Sequence, residues 1–152
     1  MDKEQLISLL NSWQEGLETE ENNEFPIIRV PVDSAWDFCN KLKESNDTSF
    51  DYLFCLTGVD YKEHLEVVYH LESTKLGHKL VVKVATEGRE NPAVDSVYNI
   101  WPTAEWHERE AYDLFGIIFN GHPDLRRILL PDDWEGYPMR KDYVDEVNMI
   151  KL

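Results

Sequence analysis

Cysteine and long apolar runs are both scarce in this sequence. Its 152 residues include two cysteines, Cys39 and Cys55, which cannot supply the four thiolates of an iron–sulfur cluster or of a four-cysteine zinc site. No apolar run approaches the ~20 residues of a membrane-spanning helix. The N-terminus carries acids where a secretory signal would be basic, and it has no small-residue cleavage site. We therefore expect a soluble, unexported protein with two buried thiols.

Basic residues and clustered glycines are also scarce. Fifteen Lys and Arg stand against thirty Asp and Glu, which gives a formal net charge of −15. Nucleic acids and anionic lipid surfaces are therefore poor candidate partners. The seven glycines are scattered singly, which excludes a glycine-rich phosphate-binding loop. The acidity identifies no partner, because self-repulsion alone also favours solubility.

The N-terminal part of the sequence predicts two helices with a short strand between them. The first is amphipathic, and the second can begin at Asp33 or Ser34. Between them, the acidic stretch 18–24 predicts a loop, and the two prolines of residues 25–32 favour an edge strand. The predicted inward stripes are Leu6, Leu10, Trp13 and Leu17 in the first helix, and Ala35, Phe38, Cys39 and Leu42 in the second.

Three segments rich in β-branched and aromatic residues, 50–61, 65–73 and 79–86, predict an antiparallel meander. Gly58 and Gly77 are candidate turn or bulge positions within it. Residues 91–101 then predict a helix with Asn91 as its cap and Pro92 at its first position. The face of that helix would carry Val94, Val97, Tyr98 and Trp101.

A last helix is predicted from Thr103 to about Phe115, and Gly116 can close it in the left-handed conformation. The fold class that follows is α+β, with two layers: a mostly antiparallel or mixed sheet, helices on one side, and an irregular C-terminal tail. We place the α+β domain at residues 1–130 and the irregular tail, a candidate docking segment, at residues 131–152.

The sequence HERE, residues 107–110, resembles the start of a zinc-protease motif. The full motif, HExxH, places a second histidine one helical turn later, where this protein has Ala111. Glu108 and Glu110 would point about 200° apart on a helix, so they cannot act as an acid–base pair on one atom. No GxSxG sequence marks a serine nucleophile. A stand-alone hydrolase remains only a remote hypothesis.

One face of the last predicted helix combines a tryptophan with charged residues. Arg109, Glu110 and Asp113 fall within about 60° of Trp106 around the helix, opposite the apolar side that would face the core. Such charges can simply be solvated. The tryptophan favours a second interpretation, an interface, because this residue is enriched at buried contact points between proteins.

Asp113 lies in the last helical turn, where the helix dipole disfavours negative charge by about 0.3–1 kcal/mol. A cation from elsewhere should compensate, and Arg126 and Arg127 are the next basic residues along the sequence. We expect one arginine to fold back onto Asp113 or Glu110, since its planar fork suits a carboxylate. The other would face a partner. The sequence leaves open which arginine does which.

Residues 131–143 show neither helical nor strand periodicity, and they are rich in residues typical of interface cores. These are Trp134, Tyr137, Pro138, Met139, Arg140 and Tyr143. The segment would either dock on a neighbouring protein or pack on its own domain as a loop.

The segment ERExxDLFGIxFxGHPDLRRIL, followed by WEGYPMRKDY, resembles the signature of the C subunit of proton-pumping NADH–quinone oxidoreductase. This is the thirty-kilodalton-subunit family of respiratory complex I. The similarity runs from Trp106 to Tyr143. The signature and interface residues that we assign are Trp106, Glu108, Arg109, Glu110, Asp113, His122, Arg126, Arg127, Trp134, Tyr137, Arg140, Lys141, Asp142 and Tyr143.

The resemblance implies a non-catalytic structural subunit in the peripheral arm, on the cytoplasmic side of the membrane. It implies the D subunit, of the forty-nine-kilodalton type, and other peripheral-arm subunits as partners. It implies no cofactor in this protein, with flavin and iron–sulfur clusters in partner subunits. Many members continue well past the corresponding region, whereas this sequence ends nine residues after Tyr143. This leaves room for a compact variant, and the same module in a membrane-bound hydrogenase-type or other donor:quinone complex is a second interpretation.

Overall fold

A computed structural model describes residues 1–20 and 24–145. In this part of the protein the fold is α+β, as the sequence predicts. The helices are α1 (Lys3–Trp13), α2 (Ala35–Glu44) and α3 (Ala104–Phe115), and the strands are β1 (Glu18–Glu20), β2 (Ile27–Arg29), β3 (Tyr52–Asp60), β4 (Leu65–Glu72), β5 (Lys79–Ala85), β6 (Ala93–Asp95) and β7 (Ile118–Asn120).

The main sheet has five strands in the order β1-β2-β5-β4-β3. The predicted meander is confirmed, because β3 pairs antiparallel with β4 and β4 pairs antiparallel with β5. Strand β2 lies parallel to β5, and β1 pairs antiparallel with β2. The sheet is therefore mixed.

The predicted edge position of β2 is wrong. Pro26 and Pro31 flank this strand and do not interrupt it, so its own residues remain free to pair on both sides. The carbonyl of Pro26 accepts a hydrogen bond from Val81 N at 2.9 Å. The edge strand is β1, which belongs to the acidic stretch predicted as a loop. Residues 21–23 of that stretch lie outside the described part of the protein.

The helices pack on one face of the main sheet. Leu6 and Leu10 of α1 share a single core with the inward residues of the sheet. The predicted cap residue Ser34 precedes α2 but makes no side-chain cap bond. The predicted stripe of α2 is confirmed, and its buried residues are Ala35, Phe38, Cys39 and Leu42. A smaller apolar cluster, formed by Ile27, Val68 and Val81, lies apart from this core.

Residues 91–101 do not form the predicted helix. Strand β6 replaces its first half and pairs parallel with β7 in a separate two-stranded sheet. Ile118 N donates to Pro92 O at 2.8 Å. Strand β7 therefore supplies the backbone hydrogen bonds that this segment would otherwise have formed within a helix. Val94, Val97 and Trp101 are buried nonetheless. Their spacing is compatible with a strand followed by a turn as well as with a helix.

Helix α3 is confirmed nearly to the residue, and Gly116 ends it with a φ of 74°. The helix packs against β3 at Gly58, where a Cβ would lie 2.8 Å from Phe115 Cδ2. Gly58 is therefore a close-contact position inside a strand and not a turn. Gly77 does lie in the turn between β4 and β5, with a φ of 74°.

The two cysteines differ in environment. Cys39 is buried, as expected, whereas Cys55 is only half-buried. Burial raises the pKa of the Cys39 thiol to about 12, so this thiol stays protonated. None of the helices in residues 1–20 and 24–145 has the length and apolar composition needed to traverse a bilayer.

Candidate functional site on helix α3

The polar face of α3 is partly covered by protein. Arg109 and Asp113 are 4% and 0% exposed, whereas Trp106 is 56% exposed, and Glu110 is also exposed. The cover is residues 121–143, which we call the return segment. Its contacts follow the helix from Glu105 to Phe115. The prediction that Arg109 and Asp113 share one face of the helix with Trp106 agrees with the structure. The interpretation of a solvated face is wrong for Arg109 and Asp113, because both are buried.

Asp113 is the most heavily bonded carboxylate on this face. Arg127 Nη1 donates to its Oδ1 at 2.8 Å. The backbone N–H groups of Ile128, Leu129 and Leu130 all donate to its Oδ2, at 3.2, 2.7 and 3.0 Å. Burial by itself would raise the pKa of Asp113, but the arginine and the three N–H groups lower it below its ordinary value. The carboxylate therefore stays charged inside the protein.

The predicted fold-back of an arginine is present, and Arg127 is the arginine that makes it. Its Nη2 also donates to the carbonyls of Trp134 and Gly136, at 3.1 and 2.8 Å, and its guanidinium lies 5.0 Å from the centre of the Tyr137 ring. Arg126 points outward, with a side chain that is 64% exposed and paired with Asp124 at 2.9 Å. Whether Arg126 meets a partner stays a prediction.

Arg109 and His122 fix the start of the return segment. Arg109 Nε and Nη2 donate to the carbonyls of Arg126 and Arg127, at 3.1 and 3.0 Å, and its guanidinium lies 5.3 Å from the Trp106 ring. His122 Nδ1 accepts from Asp124 N at 2.9 Å. Its Nε2 is therefore the protonated nitrogen, and it donates to the Glu105 carbonyl at 3.0 Å.

Glu108 lies on the inward side of α3 and is fully buried. Its Oε1 accepts from Ser96 Oγ at 2.9 Å and from Val97 N at 3.0 Å. Its Oε2 has no hydrogen-bond partner among the described residues. Burial raises the pKa of Glu108 to about 7, although the two hydrogen bonds oppose the shift. Sequence reasoning placed Glu108 in the signature without predicting that it ties α3 to the turn after β6.

The rest of the return segment packs on its own domain. The ring of Tyr137 covers Gly116, where a Cβ would lie 2.7 Å from Tyr137 Cδ2. Arg140 Nε donates to Phe115 O at 2.6 Å. Trp134 and Tyr143 are half-buried. Residues 131–143 therefore make contacts with their own domain, and docking of this segment on a partner stays a prediction; residues 146–152 of the predicted docking tail lie outside the described residues.

Sequence reasoning missed Asp60, which holds the end of this segment. Its carboxylate accepts from both Nη atoms of Arg89 at 2.9 Å and from Lys141 N at 2.9 Å. Asp142 adds a contact of 3.3 Å to the same arginine. The hydrogen bonds of Arg89 hold the pKa of Asp60 far below its usual range. The sequence did contain a signal for this contact, because Asp60 is an acid at the end of a largely apolar strand.

The hydrogen bonds of this arrangement go mainly to backbone groups, and they position the return segment on α3. Glu108 is buried and Glu110 is exposed, so the two carboxyl groups do not converge. Within residues 1–20 and 24–145, no three His, Cys, Asp or Glu side chains are grouped so that they could hold a metal ion. The predicted absence of a cofactor stays a prediction.

A family model described as "Respiratory-chain NADH dehydrogenase, 30 Kd subunit" matches residues 28–147. The protein belongs to this family. It is 52% identical over 126 residues to the C subunit of NADH-quinone oxidoreductase from Chloroherpeton thalassium. It is 48% identical over 126 residues to the protein of the same name from Chlorobium phaeobacteroides.

Each of these two matches covers 80% of this protein. The first covers 52% of the Chloroherpeton protein, and the second covers 75% of the Chlorobium protein. The protein therefore spans about half the length of the first relative. The C/D subunit of NADH-quinone oxidoreductase from Phocaeicola vulgatus is 45% identical over 126 residues. The match includes 82% of this protein and 24% of that longer one. Some members of the family are thus one part of a much longer polypeptide.

A solved structure of the membrane-bound sulfane sulfur reductase, described as an archaeal respiratory membrane complex, includes a polypeptide of similar fold. The TM-score is 0.79 at 31% identity, and the match includes 95% of this protein and 86% of that polypeptide. The fold therefore occurs in a respiratory complex that is named for a different reaction.

Proposed function

We propose that this protein is a non-catalytic structural subunit in the peripheral arm of a proton-pumping NADH–quinone oxidoreductase. The proposal is carried by the hydrogen bonds that the signature residues of α3 and the return segment make. Arg109, Asp113 and Arg127 bind the backbone of the return segment, so they shape a surface and do not face a substrate. In this role the protein supports electron transfer from NADH to quinone by holding other subunits in place.

The partner that we propose is the D subunit, together with other peripheral-arm subunits. The relatives named as C/D subunits support this choice, because they carry the matching module within a single longer polypeptide. The protein would lie on the cytoplasmic side of the membrane as a peripheral component. Flavin and iron–sulfur clusters would reside in the partner subunits, and this protein would hold none.

A second candidate is the same structural role in a membrane complex with a different electron donor. The similarity to a polypeptide of the sulfane sulfur reductase complex favours it. Both candidates share one mechanism, because no described side chain in the site is positioned for chemistry with a donor or an acceptor.

Affinity purification from the native organism tests the proposal. A tagged copy, solubilised from membranes in mild detergent, should recover the D subunit together with flavin-binding subunits that oxidise NADH. Recovery of the D subunit with a different donor module would support the second candidate. Recovery of the tagged protein without any respiratory subunit would contradict both.

A further inference from the structure

Large apolar side chains are exposed beside the covered face of α3. Trp106, Leu129 and Met139 are 56%, 62% and 56% exposed, and Ile128 is 38% exposed. The contacts of the return segment place them along the helix. Ile128 and Leu129 lie at Asp113, and Met139 N donates to Leu114 O at 3.0 Å. From position 106 to position 114 the helix rises about 12 Å. We call these four residues the apolar strip.

The middle of the strip is held in place by buried charge. Both Ile128 and Leu129 donate their backbone N–H groups to Asp113 Oδ2, and Arg127 binds the other oxygen of the same carboxylate. Taking a carboxylate and a guanidinium out of water is costly. Here those groups position two aliphatic side chains that are only partly covered, so apolar surface of both stays in contact with water in the isolated protein. Fixing side chains before they meet a partner lowers the entropy cost of binding.

Most of the exposed charged residues near the strip in the sequence are acidic, with Lys141 the exposed base beside Met139. Glu110 is exposed on the helix, and the exposed acids near Leu129 in the sequence are Asp124, Asp132, Asp133 and Glu135. Arg126 is paired with Asp124, which reduces the positive charge that it can offer. An apolar centre with a polar border is the usual anatomy of a protein interface. The complementary surface is an apolar pocket bordered by Lys and Arg side chains.

We infer that the apolar strip, with Ile128 and Leu129 at its centre, is the surface on which the D subunit of the same complex packs. The choice of occupant comes from the C/D relatives, since a covalent connection keeps the two parts at a high local concentration. The inference rests on the proposed function and makes it specific. It assigns Asp113 and Arg127 as positioning residues that set the contact without touching the partner.

Co-expression of the full-length protein with the D subunit from the same genome provides the test. The double variant Ile128→Ser, Leu129→Ser should lower the amount of D subunit recovered per tagged protein by about tenfold or more. Its thermal unfolding midpoint should stay close to that of the wild type, because the bonds to Asp113 use backbone N–H groups. The matched control is Leu76→Ser, which removes a leucine that is 47% exposed in the β4–β5 turn and should leave recovery unchanged.

The outcomes separate the two hypotheses. If the wild-type protein recovers no D subunit, the proposed function fails. If the wild type and the double variant recover equal amounts, the apolar strip is not the docking surface.

A labelling experiment addresses the case in which the double variant does not fold. The thiol of Leu129→Cys should react with a maleimide in the purified protein and be protected at least about tenfold in the complex with the D subunit. Equal reactivity in the two states would overturn the inference. Protection in the purified protein, together with a dimer in solution, would assign the strip to a second copy and also overturn it.

Discussion

Glu108 and Asp113 lie on the same helix, and both are fully buried, but their carboxyl groups have opposite surroundings. Asp113 faces a guanidinium and three backbone N–H groups, so its pKa is lowered despite burial. Glu108 faces a hydroxyl and one N–H, and burial raises its pKa to about 7. The charge of each group is therefore set by what other segments of the protein bring to it, and not by its residue type.

The stability of the protein should depend on pH through Glu108. Its folded-state pKa lies above the ordinary value of 4.5, so the folded protein prefers the protonated carboxyl group. The resulting stabilisation is fully present below about pH 4.5 and is lost as the pH rises through about 7. We expect Glu108→Gln, which keeps an accepting oxygen without the charge, to be more stable than the wild type at pH 8.5 by about 3 kcal/mol.

Urea unfolding at about pH 5 and about pH 8.5 measures this difference. The gain of Glu108→Gln should be small at the lower pH, where the wild-type carboxyl is already largely protonated. Glu110→Gln, at an exposed position on the same helix, is the matched control and should leave the free energy of unfolding nearly unchanged. An equal effect of Glu108→Gln at both pH values would mean that the buried carboxyl does not titrate in this range.

At the scale of the element, two glycines allow other segments to pack closely against the end of α3. Gly116 ends the helix in the left-handed region, and the ring of Tyr137 lies directly against it. Gly58 of β3 lets the Phe115 ring approach the sheet. The helix is therefore held between the sheet and the return segment, and this position decides where the apolar strip lies.

Gly58→Ala should destabilise the fold by about 1–3 kcal/mol, the usual cost of overpacking. The added Cβ would lie 2.8 Å from Phe115 Cδ2 and 3.1 Å from Ile117 Cδ1, so the end of α3 would have to move away from β3. Thermal unfolding gives the measurement. Thr57→Ala is the matched control, since adjacent strand residues point to opposite faces, and it should cost much less. A Gly58→Ala variant as stable as the wild type would show that α3 adjusts freely.

At the scale of the whole molecule, Asp60 joins three distant parts of the sequence. It lies at the end of β3, Arg89 follows β5, and Lys141 belongs to the return segment. The complete contact requires β3, the segment after β5 and the return segment to lie together. Asp60 therefore connects the end of the return segment to the main sheet.

Asp60→Asn should loosen the end of the return segment without unfolding the sheet. The folded-state pKa of Asp60 lies below its ordinary value of 3.8, so its stabilisation is present above that pH and is lost as the pH falls through the lowered value. At neutral pH, loss of charge-assisted hydrogen bonds should raise tryptic cleavage at Arg140 and Lys141 by about tenfold.

Mass spectrometry of a limited digest locates these cuts. Cleavage at Lys75, which is exposed in the β4–β5 turn, serves as the reference within each digest and should not change. Asp37→Asn, an exposed acid on α2, is the matched control. Cleavage at Lys141 that matches the wild type would show that Asp60 does not hold the segment.

Local sequence patterns determined much of this fold and part of the site. The bounds of α3, the buried stripe of α2 and the meander follow from periodicity, because each repeats a pattern of burial within one short segment. Charge also predicted an arginine on Asp113, since an unpaired acid in the last turn of a helix is unfavourable. The family resemblance, which depends on the same segment, is confirmed.

Only the tertiary structure decided the features in which one segment supplies what another lacks. Strand β6 exists because β7 offers it hydrogen-bond partners, and β2 is interior because β1 covers its outer edge. Arg127, and not Arg126, reaches Asp113 because the carbonyls of Trp134 and Gly136 hold the other end of its guanidinium. These contacts join groups that are far apart in the sequence, so a pattern within one short segment cannot predict them.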